Sequence, residues 1–244
     1  MIFGTRPLIE AYRAGKEIEK IFLLRGGRSP QLSEVIQLAH RHGTPLQYVP
    51  NEKLNRLTRK NHQGVVAFMS QLSYQLIEQL IPMLYERGDT PLILVLDRVT
   101  DVRNFGAIAR TAEAMGVHAL LVPTRGSATI NADAVKTSAG ALNRIAVCRA
   151  EKLKDTLTFL KESGLQIVAI SEKSDRNIWN SELKGPVALL LGSEEDGVSS
   201  AYLKLADMSL RIPLVGETES LNVSVAVGMA CYEVLKQRTQ GGSI

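Results

Sequence analysis

The second half of this chain repeats one layout three times: an apolar strand, a polar or glycine-rich loop, then a helix. The runs read LILVLDRVTDVRNFGAIARTAEA, VALLLGSEEDGVSS and LRIPLVGETESLNVSVAVGMA. In parallel α/β sheets the loops leaving the carboxyl ends of the strands converge on one crevice, where ligands bind. Loops far apart in sequence can therefore build one site. Asn104, Arg110, Gly192, Glu194, Gly197, Ser220 and Asn222 are expected to lie on it.

Strands are expected at 92–96, 118–122, 145–148, 166–170, 187–191 and 208–212, with helical patterns between most of them. Short, almost wholly apolar strands alternating with helices predict an α/β domain whose parallel sheet is covered on both faces. That domain is expected over 91–244. Residues 1–70 alternate helix and strand patterns on their own, and Ser29, Pro30 and Gly43 punctuate one helix as cap, first position and end. They form a separate small α/β unit. Residues 71–90, a helical stretch interrupted by Pro82 and then a Gly-Asp turn, are expected as a connector. The last helix, NVSVAVGMACYEVLKQ, is apolar nearly all round until Tyr232. A solvent-facing helix would carry a polar stripe, so deep burial and a subunit interface both stay open.

Composition removes several function classes. Apolar content of 45% with 22% charged residues is that of an ordinary soluble protein, and no apolar run approaches the length of a membrane span. The N-terminus lacks the apolar core of a signal peptide. Cys148 and Cys231 show neither disulfide nor zinc spacing, which fits two buried thiols in a reducing cytoplasm. Four scattered histidines give little support to a metallohydrolase or a serine hydrolase. Charge is uneven: residues 1–90 hold 12 Lys and Arg against 8 Asp and Glu, whereas 91–244 hold 17 against 17. The excess is densest at Arg41, Lys53, Arg56, Arg59, Lys60 and His62. A basic segment of this kind suits a polyanion partner, or is simply a solvated face.

The loops narrow the chemistry further. No Gly-x-Gly-x-x-Gly follows the first strand of the repeat, which argues against a nicotinamide-dinucleotide dehydrogenase. Gly192 to Gly197 has the glycine spacing of a phosphate loop, but Val198 stands where that motif needs Lys. Glu194, Glu195 and Asp196 would also repel a triphosphate. The loop is better suited to a neutral or cationic ligand approached closely by backbone, or it is an acidic turn capping the next helix. Asn104 is open to two readings, helix N-cap or site residue, and so are Ser220 and Asn222. Arg110, among small neighbours, offers a fork suited to a phosphate or ribose.

Together these motifs resemble the SpoU/TrmH branch of the SPOUT class of RNA 2′-O-ribose methyltransferases. Asn104, Gly106 and Arg110 meet the pattern Asn-x-Gly-x-x-x-Arg. Leu191 through Gly197 meet Leu-Gly-Ser-Glu-x-x-Gly. Ile212, Pro213, Leu214, Gly216 and Ser220 through Ser224 meet the third motif, and Lys136 to Ala141 falls in order between the first two. The resemblance covers 91–240. Residues 1–70, ending in His-Gln-Gly-Val at 62–65, resemble the ribosomal-protein-L30e-like substrate-binding module of such enzymes; Thr5 and Arg6 depart from the usual residues there. The resemblance implies a parallel-sheet α/β SPOUT fold with a C-terminal trefoil knot, an exception to the no-knot rule. It implies S-adenosylmethionine bound near Gly192, Gly197, Ile212 and Leu221, and a homodimer with the site at its interface. Asn104, Arg110, Glu194, Ser220 and Asn222 would form the catalytic group. The RNA is expected to be ribosomal rather than transfer RNA.

Methyl transfer to a hydroxyl needs alignment, which alone contributes about 7–11 kcal/mol, and removal of a proton. An arginine acting as general base would first have to be neutralised at pH 7, at a cost of about 7–9 kcal/mol. Positioning by Arg110, with proton transfer toward the RNA phosphate, avoids most of that cost. The competing function from another class is a non-enzymatic RNA-binding or ribosome-assembly factor with a vestigial SPOUT domain.

Overall fold

The computed structural model describes residues 1–70, 72–128, 130 and 132–240. They divide into two units, Met1–Ser73 and Tyr74–Ile244.

The first unit runs β1 (Ile2–Phe3), α1 (Thr5–Arg13), β2 (Ile18–Leu24), α2 (Pro30–Arg41), β3 (Leu46–Val49), α3 (Asn51–Leu57) and β4 (Val65–Met69). Its sheet has the order β1-β4-β2-β3, with β4 antiparallel to both neighbours and β3 parallel to β2. Alternation along β2 sends Ile21 and Leu23 to a core beneath α1 and α2, and Phe22 to a smaller cluster with Leu54 of α3. Ser29 caps α2 as expected, its Oγ accepting from Leu32 N at 3.1 Å. Tyr12 is buried among these helices and donates to Thr44 Oγ1 at 2.8 Å; burial pushes its phenol up to about 12. Divided at this boundary the charge asymmetry sharpens. Residues 1–73 hold 11 Lys and Arg against 5 Asp and Glu, and the rest hold 18 against 20.

The second unit runs α4 (Ile77–Glu86), β5 (Leu92–Leu96), α5 (Val102–Ala114), β6 (Ala119–Pro123), α6 (Ala132–Thr137), β7 (Ala146–Ala150), α7 (Leu153–Glu162), β8 (Gln166–Ile170), β9 (Val187–Leu191), α8 (Ser200–Leu203), β10 (Met208–Leu210) and α9 (Val223–Gln240). Every neighbouring pair in its six-stranded sheet, β10-β8-β9-β5-β6-β7, is parallel. The two central strands, β5 and β9, are buried at every position, which is why both read as unbroken apolar runs.

Two expectations need adjusting. Half of the supposed connector 71–90 is α4, whose Ile77, Leu80, Ile81 and Leu84 fall at helical spacing and enter the core of the second unit. The helix continues through Pro82, itself exposed, because burial of that face outweighs the carbonyl its ring leaves unpaired. The strand expected at 208–212 ends at Leu210, so Arg211 and Ile212 turn out of the sheet; Arg211 forms a bridge with Asn177 instead.

Candidate active site

β5 and β9 are paired so that Leu96 lies opposite Leu191. The loops beginning at Asp97 and Gly192 therefore leave the sheet side by side, and Asp97 N extends the ladder to Leu191 O at 2.8 Å. β8 lies on the other flank of β9, which brings Ser171 to Lys173 to the same rim. The segment after β10 reaches the same rim through Ile212, Leu214 and Glu219 to Leu221. Between them lies a cavity of about 270 Å³ whose lining includes Gly192, Glu194, Gly197, Ile212, Ser220 and Leu221. A second cavity, of about 340 Å³, opens on the side of Asn104. Ser193 to Asp196 line both, so the acidic loop is the wall between them.

Glu194 is the hub of that wall. Its Oε1 accepts from Asn104 Nδ2 at 3.0 Å, from Asn222 Nδ2, and from Val223 N at 3.4 Å. The second Asn222 amide hydrogen reaches Asn104 Oδ1 at 3.1 Å. One carboxylate oxygen thus joins three chain segments. Local capping makes this possible. Asp101, not Asn104, caps α5, its Oδ1 accepting from Asn104 N at 2.8 Å, and the Asn104 side chain is left to cross to Glu194. Asn222 does cap α9, accepting from Ser224 N at 2.9 Å through Oδ1 while its amide nitrogen serves the hub. The acidic loop caps no helix: Ser199 precedes α8 without a side-chain cap.

The glycines are needed for close approach. A Cβ on Gly192 would lie 1.9 Å from the Gly197 carbonyl carbon, and Gly197 itself has φ 66°. A Cβ on Gly106 would lie 2.6 Å from Thr137 Cβ, so this glycine lets α6, which contains Lys136, press against α5.

Arg110 departs from the expectation. It lies six residues beyond Asn104, about 240° round the helix, is exposed, and lines neither cavity. Within one chain the structure brings together Asn104, Gly192, Glu194, Gly197, Ile212, Ser220, Leu221 and Asn222, and leaves Arg110 outside. Several residues at the rim carry no motif. Ser171 to Lys173 and Glu219 line the first cavity, and Asp97 with Arg98 buttresses the wall. Their only sequence signal is position directly after an apolar strand or before the last helix. Among the described residues no group of three or more His, Cys, Asp or Glu could hold a metal ion, and no helix is long and apolar enough to cross a membrane.

The final helix has two apolar faces. Val223, Val227, Ala230 and Val234 are buried, and Gly228 lies 3.5 Å, measured from an added Cβ, from Thr111 of α5. On the other side Val225, Met229 and Tyr232 are 49%, 46% and 58% exposed at i, i+4 and i+7. Trp179 and Pro213 extend this face into an apolar groove that reaches Ile212, and so touches the first cavity.

The strand-end loops of the parallel sheet thus close a glycine-walled, acidic cavity beside an Asn–Glu–Asn hub. The family model described as the SpoU rRNA Methylase family matches residues 91–232, and the model for RNA 2′-O ribose methyltransferase substrate binding matches 1–75. The chain belongs to the SpoU rRNA methylase family, and its class is RNA methyltransferase. YacO of Bacillus subtilis strain 168, assigned to the TrmH family of tRNA/rRNA methyltransferases, is 32% identical over 241 residues, 99% of this chain and 97% of the relative. Among solved structures, the AdoMet-bound rRNA methyltransferase from Sinorhizobium meliloti superposes with a TM-score of 0.62 at 26% identity, over 96% of this chain and 86% of that one. The A. aeolicus TrmH/SpoU tRNA modifying enzyme gives 0.58 at 32% identity, over 68% of this chain and 85% of that one.

Proposed function

We propose that this chain methylates a ribose 2′-hydroxyl in structured RNA, using S-adenosylmethionine. The observation that carries this reading is the Glu194 hub, which sets one thin wall between two cavities. The first cavity fits the cosubstrate. Its lining has Glu172, Glu194, Glu195, Asp196 and Glu219 against Lys173 alone, which favours a cation, and its Gly192–Gly197 backbone offers a flat surface. When bound, S-adenosylmethionine supplies a methyl group already activated on a sulfonium. The protein's own task is then to align a hydroxyl, hold its proton and exclude water. Asn104 and Asn222 fix Glu194, Ser220 shapes the rim, and the Asn104 side admits the ribose.

Arg110 is left for the RNA phosphate, and it reaches the hub from a second copy of the chain. The exposed stripe Val225, Met229 and Tyr232 supports a homodimer, and its groove shares Ile212 with the first cavity. On this reading Arg110 positions the hydroxyl and phosphate rather than acting as base. The meeting of Ile212, Leu214 and Glu219 to Leu221 with the loops after β8 and β9 at one cavity supports a C-terminal trefoil knot. The basic first unit, read as L30e-like, supports RNA capture, since neutralising phosphates and releasing counterions drives such binding. Ribosomal RNA is the favoured substrate, in a cytoplasmic setting. Mapping 2′-O-methyl groups in total RNA from cells with and without the gene tests this. Loss at one ribosomal nucleotide is expected; loss at a transfer-RNA position would move the substrate, and no loss would overturn the reading.

A further inference from the structure

Arg98 is the second residue after β5 and has left-handed backbone, φ 59°. A residue with a Cβ keeps that conformation only where its surroundings hold it. Its side chain spans to the acidic wall. Nη1 pairs with Asp196 Oδ2 at 2.7 Å, and Nη2 donates to Gly197 O at 3.0 Å. Nε is buried 3.4 Å from Asp97 Oδ1, in ion-pair range but without hydrogen-bond geometry. Asp97 is 2% exposed, and its other oxygen accepts from Ser199 N at 2.8 Å. The loop is thus held at its front through Glu194 and at its back through Asp196, Gly197 and Ser199. The two anchors include the outer members of three consecutive acids, Glu194, Glu195 and Asp196, whose mutual repulsion favours opening. Among the described residues Arg98 is the one cation bonded to that loop. It lines the second cavity and not the first, so its effect on a molecule in the first must pass through the loop.

We propose that Arg98 is a positioning residue that locks Gly197 against Gly192 and thereby sets the affinity for S-adenosylmethionine, an assignment that rests on reading the first cavity as the cosubstrate site. The back anchor works as a unit. Removing either partner of the Arg98–Asp196 pair loosens the same stretch of wall, so the two losses overlap rather than multiply. Lysine at 98 keeps the charge beside Asp196 but lacks the planar fork that also reaches the Gly197 carbonyl.

Calorimetric titration of S-adenosylmethionine into the full chain tests this, with Arg98→Ala, Arg98→Lys, Asp196→Asn and the double Arg98→Ala/Asp196→Asn. Thermal melts and initial rates accompany each. The Kd is expected to rise about tenfold in Arg98→Ala, and about threefold in both Arg98→Lys and Asp196→Asn. The double variant should bind no more weakly than Arg98→Ala. KM for the cosubstrate should follow Kd in each variant. An unchanged Kd, multiplicative losses in the double variant, or a change confined to Tm would overturn the assignment. If Arg98→Ala does not fold, Arg98→Lys against Asp196→Asn decides by the same criteria. Failure of the wild-type chain to bind S-adenosylmethionine would instead sink the reading of the cavity, a result distinct from variants that bind as wild type does.

Discussion

Glutamine can take over only part of the role of Glu194, since its carbonyl oxygen is an acceptor without the charge. Glu194 Oε1 is an acceptor on which two asparagine amides and a backbone N–H converge, and a glutamine amide must either reproduce that oxygen or turn a fourth donor toward three others. We expect Glu194→Gln to reduce methyl transfer by about 30- to 100-fold, since hydrogen bonds to charged groups contribute about 1.5–3 kcal/mol. The melting temperature should stay near that of wild type, because the hub lies at the surface of the fold. Gly192→Ala should abolish cosubstrate binding in the same titration, as the added Cβ has no room beside Gly197. Residues of this sort are marked in the sequence by the three motifs taken together, whereas singly each reads equally well as a cap or a turn. Arg98 and Glu172 are not legible. An arginine or a polar turn after a strand has no telling spacing, and acquires its role only from which strands turn out to be neighbours. Arg110 shows the converse limit: its motif is plain, but helical rotation takes it away from the cavity of its own chain.

At the scale of elements, α9 is fastened at both ends. Asn222 holds its start at the hub. Near its end Arg238 donates to Thr90 O at 2.9 Å, Pro91 O at 3.1 Å and Gly185 O at 2.8 Å, tying the helix to the entries of β5 and β9. Arg238→Ala leaves three carbonyls without this partner and should cost about 2–4 kcal/mol in urea unfolding. His118 sits just before β6, where Leu92 N donates to its Nδ1 at 3.0 Å. Burial lowers its pKa below the usual imidazole value, with Asp89 opposing. The unfolded chain therefore binds the proton more readily. The resulting stabilisation is present above the unfolded value of about 6.5 and is lost as pH falls toward the lower folded value. Urea midpoints should accordingly decline from pH 7 to pH 5, and less steeply in His118→Gln. The alternation of strand and helix is readable because β5 and β9 are buried on both faces. The α4 helix is harder to read, because Pro82 resembles a break when only the chain is considered, whereas burial of Ile77, Leu80, Ile81 and Leu84 on one face carries the helix through it.

For the whole molecule, the sheet builds the wall but an exposed apolar helix face remains beside it. On the proposed dimer reading, a second copy seated there would bury Met229 and Tyr232 and carry Arg110 toward the hub. Sedimentation of the wild-type chain should give a dimer. Met229→Glu with Tyr232→Glu should give a folded monomer that has lost methyl transfer, since a buried unpaired carboxylate is strongly disfavoured. A dimer that survives both changes would place the interface elsewhere. Two-sided apolarity was the sequence clue, but it left burial and interface open. Packing settles which residues face inward, through the contact of Gly228 with Thr111, and which remain outside.

The most direct test follows the methyl group itself. Transcripts of ribosomal RNA are incubated with the purified chain and methyl-labelled S-adenosylmethionine, then digested with alkali, which cannot cleave next to a 2′-O-methylated ribose. We expect the label in alkali-resistant dinucleotides, lost in Glu194→Gln and in Asn222→Ala. Label released as mononucleotides would mean that a base is methylated, and would contradict the account of the hub as a ribose-facing wall.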